Sequence, residues 1–80
     1  MDTYLGAIEL LPYIFAPMDW LVCDGSLLSI AQYQALYAIL GITYGGNGST
    51  NFAIPNLKGF EPIPGMRYCI AVNGFYPVRN

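Results

Sequence analysis

From Leu5 to Leu11 hydrophobic residues alternate loosely with smaller or polar ones, LGAIELL, and few breakers intervene. This pattern predicts a strand with Glu9 on its exposed side or at an edge, ended by Pro12. Tyr13 to Pro17 is apolar but held between two prolines, which predicts a turn packed on the core. Trp20-Leu21-Val22-Cys23 reads as a short buried strand. Asp24-Gly25 favours a tight hairpin turn, from which Leu27 and Leu28 return as a brief partner. At Ser29 the period changes. Ser29-Ile30-Ala31-Gln32 matches a capping box, in which the serine hydroxyl serves the backbone N–H three residues on and the glutamine reaches back. A helix is predicted over 30–40, with Gly41 at its C-cap. Its apolar residues, Ile30, Tyr33, Leu36, Tyr37, Ile39 and Leu40, spread over more than one face, as in a helix buried in a larger body or docked on another subunit. Tyr68 to Val72 is the last strand, apolar enough to lie centrally, and Asn73-Gly74 turns it.

Between helix and last strand the period vanishes. Residues 44–59, YGGNGSTNFAIPNLKG, combine Gly45, Gly46 and Gly48, which reach positive φ without steric cost, with Asn47, Ser49, Thr50 and Asn51, which hydrogen-bond their own backbone. Phe52, Ile54 and Leu57 then come at near-alternate spacing around Pro55, so an ordered loop anchored in the core is expected. The expected fold is α+β: a small sheet of short strands near 5–11, 20–23 and 68–72, one central helix packed on it, and a long Gly-rich ordered loop, all in one domain over 1–80. Its structural core is expected to include Trp20, Leu36, Phe52, Pro55 and Leu57.

Composition changes this picture in one respect. With 55% hydrophobic and only 10% charged residues in 80, against about 25% charged in ordinary soluble domains, the chain carries more apolar surface than so small a core hides. A domain of this size buries only roughly 60% of the surface its unfolded chain exposes. The surplus must face lipid or protein. A membrane span needs about 18 or more consecutive apolar residues, and residues 5–23 are broken by Glu9, Pro12, Pro17 and Asp19. Met1-Asp2-Thr3 lacks the basic start of a secretory signal, so if the protein leaves its cell, lysis or a non-classical route is expected.

The residue inventory argues against an enzyme. There is no histidine to partner a serine or cysteine nucleophile. Asp2, Glu9, Asp19, Asp24 and Glu61 form no recognisable acid/base or metal motif, so no cofactor and no metal are expected. The GGNGST run lacks the lysine and following helix of a phosphate cradle, and Asn47-Gly48-Ser49 matches a glycosylation acceptor only formally. Lys58, Arg67 and Arg79 are too few and too scattered to track nucleic acid. Cys23 and Cys69 are read as buried free thiols or as a disulfide between the second and last strands; the residues leave both open.

Residues 15–59, FAPMDWLVCDGSLLSIAQYQALYAILGITYGGNGSTNFAIPNLKG, resemble the phage tail collar domain found in tail-fibre proteins and in the bacterial microcystin-dependent protein family. That pattern runs F-A-P, a tryptophan, C-D-G, a polar-capped helix with Q-A-L, then T-Y-G-G-x-G-x-T-x-F-x-x-P-x-L-x-G. It is met at Trp20, Cys23, Asp24, Gly25, Gln34, Ala35, Leu36, Tyr44, Gly45, Gly46, Gly48, Thr50, Phe52, Pro55, Leu57 and Gly59. The opening LGAIELL and closing NGFYPVRN are also similar to the family's ends. Relatives usually carry a long insertion after L-x-G, which in short tail fibres becomes a metal-containing receptor head with histidine ligands. Here Gly59 reaches Tyr68 across eight residues without a histidine, so that head and its metal are not carried over.

The resemblance implies a structural subunit that self-assembles, as a homotrimer or a helical array, in the virion tail, a phage-derived particle or an extracellular surface fibre, alone or with other tail or fibre proteins. Interfaces favour Tyr, Phe, Trp, Met and Arg over Lys and Glu, as this composition does. Tyr4, Tyr13, Phe60, Phe75 and Tyr76 are the expected interface aromatics, because they sit at strand ends, linker and tail. The alternative is an adhesion module that holds a host surface or a glycan through Tyr44, Asn47, Ser49, Thr50 and Asn51.

Overall fold

The computed structural model describes residues 3–12 and 17–76. Its elements run β1 (Ile8–Pro12), β2 (Trp20–Val22), β3 (Leu27–Ser29), α1 (Gln34–Leu40), β4 (Asn51–Ala53) and β5 (Met66–Ala71). The strands form two antiparallel sheets, one of three strands in the order β1-β5-β2 and one of two, β3-β4. The protein is mostly β. This overturns the α+β expectation of a fold centred on a long helix with a long Gly-rich loop.

The helix is shorter than its sequence signals, and tertiary pairing is the reason. Ser29 closes β3 opposite Asn51, with Leu28 opposite Phe52 and Leu27 opposite Ala53. The ladder extends one step further, Ile30 N–H donating to Thr50 O at 3.1 Å. A serine held in a strand cannot cap a helix, so the turn at 30–32 intervenes and α1 begins after Tyr33, with no side-chain cap. Intrinsic helix propensity is worth only tenths of a kcal/mol per residue, less than the pairing it opposes. Gly41 does end the helix, at φ 57, its N–H donating to Tyr37 O. Within α1 only Leu36 is buried; the helix is a surface element, not a core.

Pairing also redraws the 44–59 segment. Asn51–Ala53 is a strand, so the irregular run is confined to its approach and exit. Asp24-Gly25 makes no hairpin between β2 and β3, since each pairs elsewhere. The corner instead clasps the exit of β4: Gly25 N–H donates to Pro55 O at 3.2 Å, Leu57 N–H to Cys23 O at 2.9 Å, and Ile54 N–H to Ser26 O at 3.1 Å. These bonds tie the two sheets together.

In the larger sheet β5 is central, pairing Ile8–Pro12 with Met66–Ile70 on one side and Trp20–Val22 with Cys69–Ala71 on the other. Cys69, Ile70 and Ala71 are buried on consecutive positions, so both faces of this strand are covered. The entry to β1 is a tight turn in which Ala7 N–H donates to Tyr4 O, followed by a bulge: Gly6 N–H donates to Ala71 O while Ala71 N–H donates to Ala7 O. Gly6, at φ 84, supplies the left-handed residue that such a bulge requires. The core joins Leu5, Cys23, Leu36, Phe52, Ile54 and Ile70, drawing on both sheets and the helix. Tyr37 lies over Phe52 with ring centroids 5.4 Å apart.

Candidate functional site

The Gly-rich approach to β4 is built around one side chain. Asn47 Oδ1 accepts the backbone N–H groups of Ser49 (2.8 Å), Thr50 (2.8 Å) and Asn51 (3.1 Å), and its Nδ2 donates to Thr50 Oγ1 at 3.0 Å. Asn47 N–H in turn donates to Asn51 Oδ1 at 2.8 Å. Gly48 N–H donates to Asn51 O at 3.0 Å, Ala53 N–H to Gly45 O at 3.0 Å, and the Tyr37 hydroxyl to Gly48 O at 3.3 Å. The loop thus lies along the open edge of β4 and covers it.

Of the residues expected to hold a ligand, Asn47 engages both side-chain polar atoms inside this network, Thr50 its Oγ1 and Asn51 its Oδ1. Tyr44 is exposed, and its hydroxyl, like that of exposed Ser49, makes no hydrogen bond among the described residues.

Of the expected core, Leu36, Phe52 and Pro55 are buried; Leu57 is half-buried against the core cluster. Trp20 is half-buried at the sheet edge. It lines an open groove of about 570 Å³ with Thr3, Met18, Asp19, Asn73 and Phe75.

The expected interface aromatics are exposed wherever the structure describes them. Tyr4 is 63% exposed, Phe60 71%, Phe75 58% and Tyr76 54%; Tyr13 lies outside the described residues. Tyr4 and Phe75 are brought side by side as a parallel bridge, with Leu5 N–H donating to Phe75 O at 2.8 Å and Phe75 N–H to Thr3 O at 2.9 Å. Phe60 belongs to the separate 57–66 connection, beside a hollow of about 490 Å³ lined by Lys58, Glu61, Ile63 and Arg67.

Sequence reasoning missed Met18, at 88% the most exposed large apolar residue among those described. Its signal was present in Pro17-Met18-Asp19: a proline followed two positions later by an aspartate marks a turn. Trp20 N–H donates to Pro17 O at 3.1 Å and Asp19 takes φ 68, which lifts Met18 to the turn's tip above the groove.

Electrostatics offer little reactive chemistry. Burial pushes the Cys23 thiol up from 9.0 to about 11, with Cys69 and Asp24 nearby adding to the effect. Burial likewise raises the Cys69 thiol. Both are free thiols, and a raised pKa leaves them less of the nucleophilic thiolate. The Ser26 hydroxyl holds the Asp24 carboxyl below its ordinary 3.8; Asp24 Oδ1 also accepts Ser26 N–H at 3.0 Å, so this carboxylate is a turn clamp. No three Cys, Asp or Glu converge on a metal-sized site among the described residues.

The family model of the phage tail collar domain matches residues 6–62. Protein RhiB of Rhizobium leguminosarum bv. viciae is 44% identical over 55 residues, an overlap covering 59% of this chain and 25% of RhiB. The chain thus spans about a quarter of that relative's length.

Proposed function

Because this chain belongs to the phage tail collar domain family, a structural component of phage tails and fibres, we propose that it self-associates as a homotrimer or a helical array in a tail, a phage-derived particle or a bacterial surface fibre. The observation that carries this reading is the paired exposure of Tyr4 and Phe75, continued by Tyr76 and flanked by Met18 across the groove. Apolar patches beyond a few hundred Å² are rare on soluble monomers and mark contact surfaces. Aromatic residues and methionine are the types that protein interfaces favour.

The short 59–65 connection supports close stacking, because it places only a small loop where longer relatives carry an insertion. No helix among the described residues is long and apolar enough to cross a membrane, so the helix offers no lipid-spanning use for the surplus apolar surface.

Sedimentation at micromolar concentration tests the proposal. The chain should run as a defined oligomer or a longer assembly, and Phe75→Ser with Tyr4→Ser should shift it toward monomer while circular dichroism stays unchanged. A folded wild-type chain that remains an 8.8 kDa monomer would overturn it. Loss of glycan binding on changing Tyr44 and Ser49, with assembly intact, would favour the adhesion reading instead.

A further inference from the structure

Two Asn-Gly dipeptides occur in the chain, Asn47-Gly48 and Asn73-Gly74, and the fold holds them in opposite ways. In such a pair the glycine backbone nitrogen can attack the asparagine side-chain carbonyl carbon, since no Cβ on the glycine hinders the approach. At Asn47-Gly48 both reacting groups are engaged. Gly48 N–H donates to Asn51 O at 3.0 Å, while Asn47 Oδ1 accepts three backbone N–H groups and Nδ2 donates to Thr50. Swinging the Asn47 carbonyl onto Gly48 would break the whole set. At Asn73-Gly74 both residues are exposed. The asparagine side chain makes a single long bond, Nδ2 to Asp19 Oδ1 at 3.3 Å, and the Gly74 N–H has no acceptor among the described residues.

We propose that Asn73 is a modification site, at which the side-chain amide converts spontaneously to an acid with water as the only co-reactant, and that the loop network protects Asn47 from the same fate. The Gly74 nitrogen forms a bond to Asn73 Cγ, the Cγ–Nδ2 bond breaks, and Nδ2 leaves as ammonia with the proton that Gly74 nitrogen gives up. Water then adds to either carbonyl of the resulting five-membered imide and opens it to aspartate or isoaspartate. No electron is transferred.

The product changes the structure where the chain's two end segments meet. Asp19 Oδ1 now faces a carboxylate in place of a donor, and like charges at contact repel. An isoaspartate also lengthens the backbone at a crowded point, for a Cβ on Gly74 would lie 2.3 Å from Thr3 O. The two bonds of the Tyr4–Phe75 bridge, Leu5 N–H to Phe75 O and Phe75 N–H to Thr3 O, follow directly on this turn and are weakened with it.

The test ages the full chain in mildly alkaline buffer and maps conversion by peptide mass spectrometry. Asn73 should convert several-fold faster than Asn47 in the folded chain, and the difference should vanish in urea, where both pairs are equally free. Equal folded-state rates, or faster conversion at Asn47, would overturn the proposal. Asn73→Asp should speed hydrogen exchange at the Leu5 and Phe75 amides; unchanged exchange there would refute the structural consequence.

Discussion

Gly46 shows how a single position can be dictated by backbone rather than by side-chain contacts. A Cβ there would stand 2.4 Å from Phe52 Cα at φ 100, whereas Gly59, at φ 90, has nothing within 4 Å. Gly46→Ala should therefore destabilise by on the order of 3 kcal/mol or more, combining strain with overpacking. Gly59→Ala should cost only the left-handed strain, about 1–2 kcal/mol, and urea unfolding of the two variants measures the contrast. Cys23 sets a pH limit of a different kind. Its folded pKa of about 11 lies above the ordinary 9.0, so its contribution is fully present below pH 9.0 and is lost as pH rises toward about 11. Cys23→Ala should lessen that alkaline fall in the urea midpoint relative to the unmodified chain. At the acid end the sign reverses: the depressed Asp24 pKa gives stability above pH 3.8 that is lost on further acidification. At this scale the sequence was informative, because the need for glycine at 45, 46 and 48 is visible in the run itself. What each glycine faces is not, since β4 becomes the neighbour of Gly46 only after the chain folds back.

Among the elements, legibility followed the range of the interactions. The strands expected near 5–11, 20–23 and 68–72 were readable because apolar pattern and breakers are local signals. They share one sheet, at Ile8–Pro12, Trp20–Val22 and Met66–Ala71; Pro12, expected to end the first, instead pairs with Met66. The helix start was misread because a capping box is also a local signal, and it was overruled by a partner strand more than twenty residues away. Ser29→Ala tests that account. If Ser29 is a strand residue, the change should stay within about 0.5 kcal/mol and leave the helical signal in circular dichroism unaltered. Loss of a true cap would cost about 1 kcal/mol and shorten the helix. The Asp24-Gly25 corner failed as a hairpin for the same reason. Its turn chemistry was legible, but Pro55, which accepts from Gly25, and Asn56, which bridges Asp24, lie too far along the chain for periodicity to find.

For the whole molecule, composition carried further than pattern. A low charge and a surplus of apolar residues point to exposed aromatics without reference to topology, and Tyr4, Phe60, Phe75 and Tyr76 are exposed. Which of them are neighbours could not be read, because the bridge between Tyr4 and Phe75 joins opposite ends of the described chain. That bridge is parallel, with Leu5 bonded to Phe75 and Phe75 to Thr3. In a parallel pair the N-terminal side of Tyr4 and the C-terminal side of Phe75 lie at opposite ends of the bridge. Tension applied through both flanks, as in a fibre under pull, would thus drag the two segments lengthwise past each other, loading both hydrogen bonds together in shear. An antiparallel pairing of the same segments would instead peel open one bond at a time.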